Sequence, residues 1–175
     1  MKFYRVLPLK TRKKLFEKHR NLGGKLGLGL RYALLKSIAK KCGDNVSIYQ
    51  NVFVSNPESL TIGDNVSIQP MTYIECGVDK TLGLIIKNDV SIAHGVTVMS
   101  TSHTYKRHDL PIKDQEVETR QTMICSDVWI GAKATILAGI TVASGCVIGA
   151  NAVVTKDTET NKVFVGVPAR AIKER

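Results

Sequence analysis

From residue 42 onward, an aliphatic side chain returns at every sixth position. The stretch "IGDNVSIQPMTYI" carries Ile62, Ile68 and Ile74, and "IKNDVSIAHGVTV" carries Ile86, Ile92 and Val98. "ICSDVWIGAKATI" carries Ile124, Ile130 and Ile136, and "VASGCVIGANAVV" carries Val142, Ile148 and Val154. The first copy, "CGDNVSIYQNVFV", carries Cys42, Ile48 and Val54. A period of six is neither the helical nor the hairpin pattern. It fits a solenoid in which each hexad is one short flat strand plus a corner, and three hexads make a triangular coil. The aliphatic residue then points inward, and strands of successive coils pair in parallel. Small or aliphatic side chains, Val66 and Thr72, sit four residues after Ile62 and Ile68. A small residue after the aliphatic, often Ala or Gly, is expected to let the chain turn the corner. The fold expected is an all-β solenoid of about five triangular coils, because each coil can bury its face only against its neighbours. A β-sandwich with coincidental spacing is disfavoured by fifteen positions that keep one register.

The register breaks in three places. Two extra residues lie near Asn56 and Pro57, six between Ile74 and Ile86, and twenty between Val98 and Ile124. Loops that leave a rigid scaffold are where chemistry concentrates, so the long insertion at 99–123 is the first place to look. Ahead of the repeats, residues 8–21 and 26–41 predict two short helices, with Gly23 and Gly24 between them. The chain thus divides into a helical segment 1–41 and a solenoid domain 42–175, whose tail is 155–175.

Charge follows the same division. Segment 1–41 holds 13 Lys/Arg and one acid, Glu17; segment 42–175 holds 12 Lys/Arg and 14 acids. The overall charge of +10 therefore belongs to the leader. A nucleic-acid surface would need basic residues across the folded body, so nucleic acid is not expected as a partner. The four cysteines, at 42, 76, 125 and 146, show no C-x-x-C spacing, which argues against a zinc site or a disulfide framework. Residues 1–10 contain no long apolar run, so no signal peptide is expected, and no uncharged run approaches the roughly 18 residues of a membrane span. A cytoplasmic protein is expected.

Four histidines narrow the chemistry. His19 sits among the leader's cations, and His108 in the polar middle of the insertion. His94 follows Ile92 by two and is expected at an outward mid-face position, lining a cleft. His103 stands at the base of the insertion, five residues after Val98. Metal catalysis needs three protein ligands, whereas His103 and His108 form only a pair within an irregular loop, so no metal is expected. Cys76, beside a loop, is the single candidate for a cysteine nucleophile.

"SIAHGVTVMSTSH", a long loop, "DVWIGAKATILAGITVASGCVIGANAVVTKD" and "GVPARAI" occur in that order. This order resembles the hexapeptide-repeat acyltransferases, in particular the galactoside, maltose and polysaccharide O-acetyltransferase branch. The resemblance covers 42–175. It implies a left-handed parallel β-helix, a hand the period itself does not give, since most parallel crossovers are right-handed. It also implies acetyl-CoA as co-substrate, a glycan or other small acceptor, and a homotrimer with active sites between subunits.

Residue by residue, the resemblance implies His103 as the general base. A neutral imidazole can take the proton of an alcohol as the new C–O bond forms. Glu75, one coil earlier, is implied as a second functional carboxylate. Ala132 and Ala150 match positions along the pantetheine, Thr155 and Lys156 a CoA-binding pair, and Arg170 and Lys173 basic positions near the CoA phosphates. Lys173 stands where relatives often carry Arg, keeping charge without the bidentate fork. Trp129 is expected either beside the cofactor or in the core. Gln69 stands where sugar acetyltransferases carry an Asn that bonds the acceptor, and His94 is a second acceptor-side candidate. An acidic acceptor contact near the N-terminus of the simple sugar enzymes has no match here, which argues against a small free galactoside.

The basic leader can cap the first coil, touch an anionic membrane surface at the cytoplasmic face, or attract an acidic glycan or nucleotide. The first two together suit a lipid-linked precursor of a cell-surface polysaccharide. Streptogramin-type antibiotic acetylation, serine O-acetylation and a non-catalytic β-helix binding protein are the rival functions. The last would need neither His103 nor the "VVTKD…GVPAR" tail.

Overall fold

A computed structural model describes residues 6–79 and 81–175. Three parallel sheets run along one solenoid. The first face stacks β1 (Lys41–Cys42), β4 (Thr61–Ile62), β7 (Ile85–Ile86), β12 (Met123–Ile124) and β15 (Thr141–Val142). The second stacks β2 (Val46–Ile48), β5 (Val66–Ile68), β8 (Val90–Ile92), β13 (Val128–Ile130), β16 (Val147–Ile148) and β18 (Lys162–Val165). The third stacks β3 (Phe53–Ser55), β6 (Tyr73–Glu75), β9 (Thr97–Val98), β14 (Thr135–Ile136) and β17 (Val153–Val154). This gives five complete coils and part of a sixth, closed by β19 (Arg170–Glu174), which returns antiparallel beside β18. The hexad reading of the sequence is borne out. Ile48, Ile62, Ile68, Ile74, Ile86, Ile92, Val98, Ile124, Ile130, Ile136, Val142 and Ile148 are all fully enclosed in one continuous core.

The corners work differently from the expectation. The turn is made three residues after the inward aliphatic, in the left-handed region. Between the first and second faces it falls on Asn45, Asn65, Asp89, Asp127, Gly145 and Asn161. Asn and Asp tolerate that conformation because their short side chains bond locally, and here they bond along the column: Asn45 Nδ2 donates to Asn65 Oδ1 at 2.8 Å, and Asn65 Nδ2 to Asp89 Oδ1 at 2.7 Å. The small residue directly after the aliphatic answers to coil spacing instead. A Cβ on Gly131 would lie 2.6 Å from the Ala150 amide nitrogen of the next coil.

Two helices precede the coils. Helix α1 (Leu9–Lys18) is shorter than the predicted 8–21, and α2 (Gly24–Ile38) begins earlier and ends earlier than 26–41. Phe16, Leu34, Leu35 and Ile38 join the solenoid core, so the pair covers the first coil. Arg31 fastens this cap at 1% exposure. Its Nε donates to the Ile48 carbonyl at 2.7 Å, and its Nη1 to Leu22 at 2.5 Å and His19 at 3.3 Å. A buried guanidinium facing only carbonyls loses hydration, and burial lowers its pKa from the usual value.

Candidate functional site

The insertion at 99–123 is an ordered arm rather than a plain loop. Its root is a two-stranded hairpin, β10 (Thr101–His103) against β11 (Val117–Thr119), with His103 opposite Val117. Its tip is closed by buried Gln115, whose Nε2 donates to the Arg107 carbonyl at 2.7 Å and the Leu110 carbonyl at 3.1 Å. The arm is seated on the second coil. Ser100 Oγ donates to the Glu75 carbonyl at 2.6 Å and accepts from the Gly77 amide at 2.9 Å. Gly77 is needed there, because a Cβ would lie 2.1 Å from the Thr119 methyl. Sequence reading missed Ser100 and Gly77, which stand just outside the hexad register.

The seat fixes where the two leading candidates stand. His103 is exposed, and its ring has no hydrogen-bond partner among the described residues. Glu75 ends β6, and its Oε2 is enclosed without a partner among them. The reason is visible in the register. Ser55, directly below Glu75 in the stack, turns its hydroxyl to the Cys76 amide at 3.1 Å and carbonyl at 3.3 Å. Continuing the pairing of Ile74 with Val98 puts apolar Met99 above. An orphaned carboxylate oxygen costs about 1–3 kcal/mol or more, and its unmet bond is a binding capacity.

At the root of the arm lies an open groove of about 310 Å³, lined in part by Thr101, Ser102, Arg120, Leu137, Gly139 and Thr155. Glu75 and Thr155 stand where the third face turns back to the first, and His103, next to the groove-lining Ser102, is on the arm that leaves from that edge, with exposed Lys156 beside Thr155. Gln69, His94, Ala132 and Ala150 occupy the other edge, between the second and third faces. There the Lys133 amide donates to the His94 carbonyl at 3.0 Å and the Asn151 amide to Ala132 at 2.9 Å. His94 is therefore a corner residue, not the mid-face residue expected, because its neighbour Gly95 takes the left-handed turn. One copy does not bring the two edges together.

Trp129 faces outward from β13 at 55% exposure, which removes the core-packing reading. Arg170 and Lys173 lie on β19, opposite Val165 and Val163. Cys76 does not suit a nucleophile: it is buried, and burial pushes its thiol up to about 12, the opposite of what a reactive thiolate needs. All four cysteines are free. No group of three His, Cys, Asp or Glu side chains among the described residues could hold a metal ion. No helix among them is long and apolar enough to cross a membrane.

A sequence profile of the family "Bacterial transferase hexapeptide (six repeats)" matches residues 121–156. Galactoside O-acetyltransferase of Escherichia coli (strain K12) is 33% identical over 144 residues, spanning 82% of this chain and 68% of that protein. This chain belongs to the hexapeptide-repeat acetyltransferases. A relative named for lipopolysaccharide biosynthesis, the O-acetyl transferase WbbJ of the same organism, is 30% identical over 148 residues, spanning 85% and 67% of the two chains. A solved galactoside acetyltransferase in complex with coenzyme A superposes with a TM-score of 0.79 at 29% identity, covering 94% of this chain and 78% of that one. The protein is an acetyl-CoA-dependent acetyltransferase similar to galactoside O-acetyltransferase, and its parallel solenoid is consistent with a left-handed β-helix.

Proposed function

We propose that this acetyltransferase moves acetyl from acetyl-CoA to a sugar hydroxyl of a cell-surface polysaccharide or its lipid-linked precursor, with His103 as general base. The observation that carries this reading is an exposed, unpartnered imidazole on the arm whose seat holds the orphaned Glu75 carboxylate. His103 takes the proton of the acceptor hydroxyl as its oxygen attacks the thioester carbonyl. The C–O bond forms and the carbonyl becomes an oxyanion. The intermediate collapses, the C–S bond breaks, and the imidazolium returns its proton to the departing CoA sulfur. Glu75 holds the acceptor or orients the imidazolium. No acyl-enzyme is needed, in keeping with the buried Cys76.

Ala132 and Ala150 are proposed to line the pantetheine, because small residues let it approach the coil backbone. Trp129, Thr155, Lys156, Arg170 and Lys173 hold the rest of CoA, and Gln69 and His94 contact the acceptor side. The placement of these groups on two edges of one copy supports a homotrimer whose sites lie between neighbours. The relative named for lipopolysaccharide biosynthesis supports a glycan acceptor. A cytoplasmic enzyme working at the inner membrane face, through residues 1–41, fits such an acceptor.

The test is thiol release from acetyl-CoA with a panel of glycans. His103→Ala should bind CoA normally yet lose at least about 10²-fold in rate. A variant that keeps the wild-type rate would refute His103 as the base.

A further inference from the structure

Face three carries a feature that the family resemblance does not use. Its outward column runs Phe53, Tyr73, Thr97, Thr135 and Val153 from the first coil to the fifth. The two aromatic rings are stacked, 5.0 Å between centroids and 6° from parallel. Beneath them the Arg20 guanidinium covers the far face of the pair, 5.5 Å from the Phe53 centroid. The stack stops at Tyr73, because the next residue up is Thr97. Rings that stack along the coil axis above a bulky base and below a small side chain form a ledge. The lower faces are used; Tyr73 as a residue is 39% exposed, and its upper face meets no other ring among the described residues.

The ledge adjoins the orphaned carboxylate. Tyr73 and Glu75 project from the same side of β6, two residues and so about 7 Å apart along the strand. Burial, and after it the charge of Glu75, pushes the Tyr73 phenol above its usual value. Together they offer a flat apolar face beside a half-buried carboxylate, one oxygen of which is enclosed with no protein group to satisfy it. A pyranose ring has that complement: one face of C–H groups and an edge of hydroxyl donors. A nucleobase would use the flat face but has few donors for a carboxylate, and a lipid tail has none.

We infer that Tyr73 is a stacking platform for a pyranose ring of the acceptor, held level by Phe53 and Arg20, with Glu75 taking a hydroxyl of the same sugar. The inference rests on the acceptor being a sugar, and it assigns acceptor specificity to Tyr73. The stack makes the platform rigid before the ligand arrives, so little ordering is lost on binding.

Tyr73→Thr is a suitable probe, since threonine already fills two higher positions of the same column. The assay is acetyl transfer to methyl pyranosides and to neutral disaccharides, with the matching open-chain alditols as controls and Tyr73→Phe as the conservative variant. For cyclic acceptors, Tyr73→Thr should raise KM about tenfold, the scale of one aromatic stacking contact. The KM for acetyl-CoA and the slow hydrolysis of acetyl-CoA without acceptor should not change, and Tyr73→Phe should restore the cyclic KM. An unchanged cyclic KM in Tyr73→Thr, or an equal rise for alditols, would overturn the platform while leaving the acetyltransfer reading intact. If wild type acetylates no pyranoside, disaccharide or polysaccharide, the sugar reading itself fails and the platform with it.

Discussion

Single residues do unequal work in this chain. The inward aliphatics are interchangeable in kind and were legible from spacing alone, because a period of six leaves them no other role. Arg31 was not legible. It reads as one more cation in a basic leader, yet it is buried, and its donors satisfy carbonyls of the helix turn and the first coil. Arg31→Met would strip those carbonyls of their donors, and buried acceptors left unmet cost about 1–3 kcal/mol each. Urea unfolding should show a loss of about 3 kcal/mol, with Arg31→Lys intermediate; equal stability of wild type and Arg31→Met would contradict the role. His103 was legible only through family resemblance, since no local pattern distinguishes it from His108. The orphaned oxygen of Glu75 was legible from neither, because it depends on where the Ser55 hydroxyl turns.

At the scale of elements, the register breaks found the arm but not its shape. Extra residues in a repeat say that the chain leaves the coil; they do not say that it returns as a hairpin pinned by Ser100 and Gly77. The helices were found, with ends misjudged by a few residues. The pattern did not show that the cations of α1 divide into two sets. Lys13 pairs with Glu58 at 3.0 Å and Arg12 donates to the Ser37 carbonyl, while Arg20, just past the helix, covers Phe53. Lys10, Lys14 and Lys18 recur every fourth residue on the exposed side and form no ion pair among the described residues. Nearby Leu22 and Leu26 are exposed, Leu26 at 76%; Lys2 and Arg5 lie outside the described residues. Lysine near an anionic lipid surface gives about 1 kcal/mol per residue. Flotation with vesicles containing anionic phospholipid should therefore carry the wild type and leave Lys10→Glu/Lys14→Glu/Lys18→Glu behind. Equal flotation of both, or flotation that persists in 1 M salt, would remove the electrostatic contact from the account.

The whole molecule is a ruler with chemistry at two of its edges. Parallel coils fix the spacing along each edge, and the arm rises from one of them; in the proposed mechanism the thioester reaches His103 only if a neighbouring copy brings the second edge to the first. That arrangement is outside what a single chain's sequence can specify, and it was expected on resemblance alone. A crystal structure of the assembled protein with coenzyme A decides whether the two edges meet. The CoA sulfur should lie within direct or one-water reach of a His103 ring, about 3–5 Å, with Ala132 and Ala150 along the pantetheine. A sulfur remote from every His103 ring in the assembly would contradict that arrangement.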